Sequence, residues 1–201
     1  MKRSFFALAL IIAGVLGSAF VPKGGIEVGD QAPLTDYEML DVSQDKETSL
    51  EDLAGEKGLL VVFSCNTCPF VIGWEDRYND LAELAQKKGI NMVLVNSNEA
   101  KRDGDDSEEA MREKHESSKY TMPYLVDENS KLAIAFGATV TPQAYLFNSE
   151  MELVYTGLID DNMRDRKKAK AYLFDSIENL SKGKEIDPAK TNAKGCSIKK
   201  V

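Results

Sequence analysis

Histidine and cysteine are scarce in this chain: 201 residues hold one histidine, His115, and three cysteines, Cys65, Cys68 and Cys196. A structural zinc site wants further Cys or His at short spacing. Neither Cys196 nor His115 lies near the other two cysteines in sequence, which argues against such a site. Basic residues are outnumbered by acidic ones, 25 to 33, for a net charge of −8. That balance gives no general reason to bind nucleic acid or an anionic membrane surface. There is no internal repeat, low-complexity tract, P-loop, dinucleotide fingerprint or nucleophile elbow. No cysteine follows the apolar N-terminal run, so a lipid-modified cysteine there is excluded.

What the chain does have is concentrated in Val61 to Phe70. An apolar run rich in β-branched residues ends in Cys65, and Cys68 and Pro69 follow, leading into a helical pattern. A helix N-terminus carries orphan N–H groups and partial positive charge. A thiol there falls from about 8.5 to about 3.5–7.5 in its pKa, and the thiolate is the nucleophile. Pro69 suits a first helical turn. Strand, Cys-x-x-Cys and helix in this order predict a dithiol/disulfide redox site, with Cys65 and Cys68 near enough to close a disulfide. No other cofactor is called for.

The N-terminal twenty residues differ from the rest. Lys2 and Arg3 precede an apolar run from Phe5 to Leu16, and Gly17, Ser18 and Ala19 offer small residues before Phe20. This order predicts a signal peptide over residues 1–19. The alternative is an uncleaved membrane anchor, since Phe5 to Val21 is near the lower limit for a spanning helix. Either places the domain in a periplasmic or other extracytoplasmic setting, where disulfides persist. An odd cysteine then needs a partner or a role.

Further along, Tyr37–Val42 reads as extended. Ser49, with Asp52 three residues on, reads as the cap of a short helix. Leu59–Phe63 and Ile90–Val95 read as strands buried on both faces. A helical register follows Cys68 through Phe70, Trp74, Tyr78, Leu81 and Leu84, with Trp74 in the core. A polar loop over Asn96–Asp106 leads to a helix from Ser107 to about Lys119, which puts His115 on a charged, solvent-facing surface. Met122–Val126 is extended and Lys131–Phe136 helical. Ala144–Phe147 and Glu152–Thr156 form a hairpin. Arg164–Leu180 is the last helix, and residues 183–201 are a polar tail carrying Cys196. Alternation of strands and helices ending in a hairpin predicts an α/β layered fold.

Taken together, these features resemble the thioredoxin-like superfamily, in its redoxin (AhpC/TSA, peroxiredoxin-like) branch of exported thiol–disulfide oxidoreductases. The resemblance covers about residues 26–182. It rests on Gly29 to Pro33, on Ser49-Leu50 with Leu53, on Val61 to Phe70, on Asp127-Glu128, and on Thr141-Pro142 followed by Gln143 to Phe147. Cys65 to Phe70 with Gly195 to Lys199 is also similar to a peroxiredoxin-like subgroup. The resemblance implies a central mixed β-sheet flanked by helices, with an N-terminal redoxin extension. It also implies a cis peptide bond at Pro142 beside the cysteines and a substrate chain paired with the backbone at Thr141. There are departures. Peroxide-reducing members carry Pro-x-x-x-Thr-x-x-Cys, whereas the Thr and Pro positions are Val62 and Gly58 counted from Cys65, and Cys65 and Val61 counted from Cys68.

The expected activity is thiol–disulfide exchange. Cys65, the more exposed thiol, attacks a substrate disulfide, and Cys68 resolves the mixed disulfide. An external thiol donor, membrane-bound or periplasmic, resets the pair. Partners are a protein disulfide or a small thiol or peroxide. One alternative is peroxide reduction at Cys65, with Cys68 or Cys196 as the resolving thiol. Another is copper handling by Cys65, Cys68 and His115, as some exported thioredoxin-fold proteins do.

Overall fold

The computed structural model describes residues 24–201. The expected leader or anchor, residues 1–19, lies outside the described residues. Among the described residues no helix is long and apolar enough to cross a membrane.

The centre of the molecule is β3 (Gly58–Ser64), all seven residues of which are buried. Alternation across the strand decides where each side chain goes. Leu60 and Val62 join one apolar cluster, and Leu59, Val61 and Phe63 join another on the opposite face. Each fully buried Leu, Val or Phe contributes about 1.5–3 kcal/mol relative to exposure, so this one strand anchors both layers. It lies parallel to β4 (Ile90–Asn96), which lies parallel to β5 (Tyr124–Val126). On the other side it pairs antiparallel with β7 (Gln143–Asn148), which forms the expected hairpin with β8 (Leu153–Gly157). The hairpin β1 (Met39–Asp41) and β2 (Lys46–Thr48) extends the far edge, giving the order β2-β1-β5-β4-β3-β7-β8. Gly58 opens β3 at φ +140°, where a Cβ would run into the Phe147 carbonyl of β7; only glycine allows that approach.

Helices cover both faces, as the resemblance implied. On one side lie α2 (Pro69–Trp74), α3 (Tyr78–Lys87) and a later helix, α6 (Tyr172–Ser181), through Val71, Trp74, Tyr78, Leu81, Leu173 and Ile177. On the other lie α1 (Leu50–Leu53) and α5 (Lys131–Phe136), through Leu50, Leu132, Ala133 and Phe136. The Ser49–Asp52 capping box at α1 is present as predicted. Helix α4 (Glu108–Ser117) packs beside β5 and presents Met111 inward.

Three segments depart from the sequence reading. The helical register after Cys68 is broken by a 3-10 turn at Glu75–Arg77. There the Arg77 guanidinium donates to the Gly73 carbonyl at 3.2 Å and to Asp160 at 3.1 Å, so one backbone acceptor is taken by a side chain. The last helix starts at Tyr172 rather than Arg164. Asn162 and Asp165 accept from nearby backbone N–H groups and Asp161 accepts from Lys170, which holds the preceding segment in turns. The tail folds back, and its β9 (Cys196–Ser197) pairs with β6 (Val140–Thr141).

Candidate active site

Strand β3 ends at Ser64 and the chain turns through Cys65, Asn66 and Thr67 before α2 begins. The cap residue of α2 is Cys68, with Pro69 at the first position. The sulfur at the head of the helix is therefore that of Cys68, three residues later than the first cysteine of the motif. Cys65 and Cys68 are 3% and 4% exposed, so the expectation of an exposed Cys65 does not hold.

Thr141 is the common neighbour of all three cysteines. Its hydroxyl hydrogen-bonds with Cys65 Sγ at 3.2 Å. Its carbonyl oxygen lies 3.4 Å from Cys68 Sγ, a plain contact because a half-cystine has no proton to give. Its backbone stands opposite Cys196 in the β6–β9 register. The Thr141–Pro142 bond is cis. Gly195 is required here, since a Cβ on it would fall on the Thr141 carbonyl.

The disulfide joins Cys68 to Cys196 across 128 residues, with Cα atoms 6.2 Å apart. Cys65 is free and buried. The Cys65–Cys68 disulfide expected from the motif is thus not the one formed. The reason is placement: Cys65 Sγ is engaged by the Thr141 hydroxyl and by the backbone N–H groups of Thr67 and Cys68, while the returning tail carries Cys196 to Cys68. The third cysteine, left open between a resolving thiol and a tail residue, reaches the site.

Electrostatics also differ from the expectation of a lowered thiol at the helix tip. Burial pushes the Cys65 thiol up; the Thr141 hydroxyl pulls it back, the Asp106 carboxylate pushes it up further, and the N–H groups of Cys68 and Thr67 oppose that. Cys65 is therefore a protonated thiol at neutral pH.

The turn between the cysteines is held from below by residues read in sequence only as a polar loop. Asp106, 1% exposed, accepts the Asn66 backbone N–H at 2.9 Å, the Asn96 amide at 2.8 Å and the Asn98 amide at 2.9 Å. Asn66 donates to the Asp105 carbonyl at 2.8 Å and accepts from the Tyr124 hydroxyl at 3.0 Å. Asn98 also accepts the Lys199 backbone N–H at 2.8 Å, so one network grips both the redox turn and the tail. Asn and Asp clustered just after a buried strand were the signal available.

His115 lies elsewhere, half-buried, with Nε2 3.1 Å from the Met122 carbonyl. Among the described residues no group of three or more His, Cys, Asp or Glu is placed to hold a metal ion. The copper alternative therefore lacks its third ligand.

The chain shares its architecture with known structures. It is 31% identical to an uncharacterized conserved protein from Geobacillus kaustophilus, over 86% of this chain and 92% of that one, with a TM-score of 0.79. It is 28% identical to a hypothetical protein from Sinorhizobium meliloti 1021, over 88% and 96% of the two chains, with a TM-score of 0.77. The thioredoxin domain of a thiol-disulfide oxidoreductase from Bacteroides vulgatus superposes with a TM-score of 0.61 at 17% identity, over 78% of this chain and 99% of that one. The fold is thioredoxin-like. A comparison with curated proteins finds no match. The AhpC/TSA family model matches residues 28–156, a span that runs from the start of the N-terminal extension through the cysteine turn and Thr141, and the chain belongs to the AhpC/TSA family.

Proposed function

We propose that the protein is a thiol–disulfide oxidoreductase whose working couple is Cys68–Cys196, with Cys65 as a third thiol beside it. The observation that carries this reading is the disulfide itself: a cysteine heading a helix is bonded to one that the fold returns from 128 residues away. In the reduced protein the Cys68 thiolate attacks one sulfur of a substrate disulfide. A Cys68–substrate bond forms and the other substrate sulfur leaves as a thiolate. Cys196 thiolate then attacks Cys68 Sγ, closes Cys68–Cys196 and releases the reduced substrate. An external thiol resets the couple, and the same steps in reverse oxidise a substrate. Thr141 offers the backbone edge on which an extended substrate is held, at the register now taken by Cys196. Thr67 and Pro69 on either side of Cys68, and Ile72 one turn further along α2, are exposed. An extracytoplasmic setting belongs to this reading, because the basic, apolar and small-residue order of residues 1–19 is that of an export signal and a disulfide persists there.

The test is a glutathione redox titration of the full chain with thiol trapping and peptide mapping. Wild type is expected to show a two-electron couple that maps to Cys68–Cys196, retained in Cys65→Ser, abolished in Cys68→Ser and moved in potential in Cys196→Ser, where Cys65 is the thiol left to pair with Cys68. A couple indifferent to Cys196→Ser would overturn the assignment.

Membership of the AhpC/TSA family favours one second reading, reduction of a hydroperoxide. Cys68 thiolate would take the terminal oxygen to become a sulfenic acid and release an alcohol or water. Cys196 would then expel water as the disulfide closes. Hydroperoxide consumption by the reduced protein, absent in Cys68→Ser, tests it.

A further inference from the structure

With the tail in place the couple is closed off. Cys65 and Cys68 are almost fully buried, Thr141 is 1% exposed, and Cys196 covers the β6 edge. Two separate sets of contacts hold the tail. Residues 189–191 are fixed to β8: Thr156 N–H donates to the Ala189 carbonyl at 3.0 Å, Thr191 N–H to the Thr156 carbonyl at 2.9 Å, and Leu158 N–H to the Thr191 hydroxyl at 2.8 Å. Residues 195–200 are fixed over the site: Ile198 N–H donates to the Thr139 carbonyl at 2.9 Å, Ala100 N–H to the Lys199 carbonyl at 2.9 Å, and Lys200 Nζ to the Ala138 carbonyl at 2.9 Å. Ile198 itself is buried. Asn192 to Lys194 joins the two sets, with Asn192 and Lys194 exposed. The only covalent tie in the second set is Cys68–Cys196, and a free thiol, Cys65, shares Thr141 with it.

Resting on the Cys68–Cys196 couple proposed above, we infer that Cys65 is an internal exchange nucleophile that isomerises this disulfide and so unlatches the segment from Asn192 to Val201. Cys65 gives its proton to solvent, and its sulfur attacks Cys68 Sγ. The Cys65–Cys68 bond forms as the Cys68–Cys196 bond breaks. Cys196 leaves as a thiolate and takes a proton from solvent. One disulfide replaces another, with no oxidant or reductant consumed. The tail keeps its anchor at residues 189–191 and loses its tie over the site. The released arm carries a free Cys196, and the Thr141 edge it covered becomes available to an extended cysteine-bearing chain. The two disulfide forms are then a shut and an open state of one oxidised protein.

The groups that face Cys65 are Asp106 from the loop after β4, Tyr78 from α3, Tyr124 from β5, and Thr141 and the disulfide beside it. Below the raised value of Cys65 the isomerisation rate is expected to climb about tenfold per pH unit, following the thiolate fraction.

The experiment incubates the oxidised full chain without added thiol at several pH values from 6 to 9, quenches with acid, alkylates and maps the disulfides. Expected are a Cys65–Cys68 linkage and alkylated Cys196 that accumulate faster as pH rises. Amide exchange of residues 195–199 should rise in parallel, while that of 189–191 stays low. In Cys65→Ser, and in Cys65→Ala as a second variant, Cys196 should stay unlabelled throughout. Labelling of Cys196 in wild type no greater than in these variants overturns the inference. If Cys68–Cys196 nonetheless re-forms in the glutathione titration of Cys65→Ser, the couple stands and only the exchange role of Cys65 fails.

Discussion

Asp106 accepts the backbone N–H of Asn66 at 2.9 Å, tying the middle of the cysteine turn to a carboxylate 40 residues further along the chain. The same carboxylate takes the amides of Asn96 and Asn98, and Asn98 takes the tail at Lys199. The shape of the turn and the seating of the tail therefore depend on one buried anion satisfied by three neutral donors.

Replacing that anion tests the network. Asp106→Ala leaves three buried donors without an acceptor, and each such group costs about 1–3 kcal/mol. A denaturant midpoint well below wild type is expected. Asp106→Asn keeps the shape and some acceptor capacity, and should destabilise less. A midpoint for Asp106→Ala within error of wild type would show that water fills the site.

The pH dependence of Cys65 follows from its burial. Its thiol is raised above the ordinary value of 9.0, so the folded protein binds this proton more tightly than the unfolded chain does. The stabilising contribution is present below the unfolded value and is lost as pH climbs through the raised folded value. Alkylation of Cys65 in the folded protein should lag that of a small free thiol between pH 8 and 9, and catch up only at higher pH. Asp106→Asn removes one cause of the rise, so its alkylation profile should move to lower pH. A Cys65 profile matching that of the free thiol would contradict the assignment.

The buried pair of Arg77 and Asp160 makes a third prediction. Both side chains are 3% exposed, with Nε 3.1 Å from Oδ2, and Asp160 also accepts the Trp74 indole N–H at 2.7 Å. Asp160→Ala takes away one of the two carboxylates on a buried guanidinium, the other being Asp76, and leaves the Trp74 indole donor unpaired. A loss of about 3–5 kcal/mol is expected for breaking such a pair, read from urea unfolding. An outcome under 1 kcal/mol would mean that the Arg77 contacts to Gly73, Asp76 and Asn162 suffice.

How far the sequence reaches is clearest at particular residues. The runs Leu59–Phe63 and Ile90–Val95 announced the buried strands, because a strand covered on both faces needs continuous apolar character. Ser49 with Asp52 announced α1. The pairing of Cys68 with Cys196 was not legible, since spacing along the chain reports local neighbours and says nothing of a partner 128 residues away. The burial that raises Cys65 is also a property of the assembled layers. The helix forecast from Arg164 failed because side chains such as Asp165 can bond the backbone in turns as readily as the backbone bonds itself. Tail residues that looked merely polar hid one apolar anchor, Ile198, whose burial needs the β6 edge to be in place.

Gly195 is the residue on which the closed state turns. Its Cα passes so near the Thr141 carbonyl that any side chain would overlap backbone, which cannot move aside as a flexible side chain could. Gly195→Ala should therefore weaken the β6–β9 pairing and the approach of Cys196 to Cys68, while the central sheet, which Gly195 does not enter, is unaffected. In the glutathione titration the closed Cys68–Cys196 form should appear at a more oxidising poise than in wild type, and more of the Cys65–Cys68 form should be trapped. Thermal unfolding of the reduced protein should stay near wild type, which separates a tail effect from a general loss of stability. If Gly195→Ala closes the disulfide as readily as wild type, the tail reaches Cys68 by a path other than the strand pairing at Thr141.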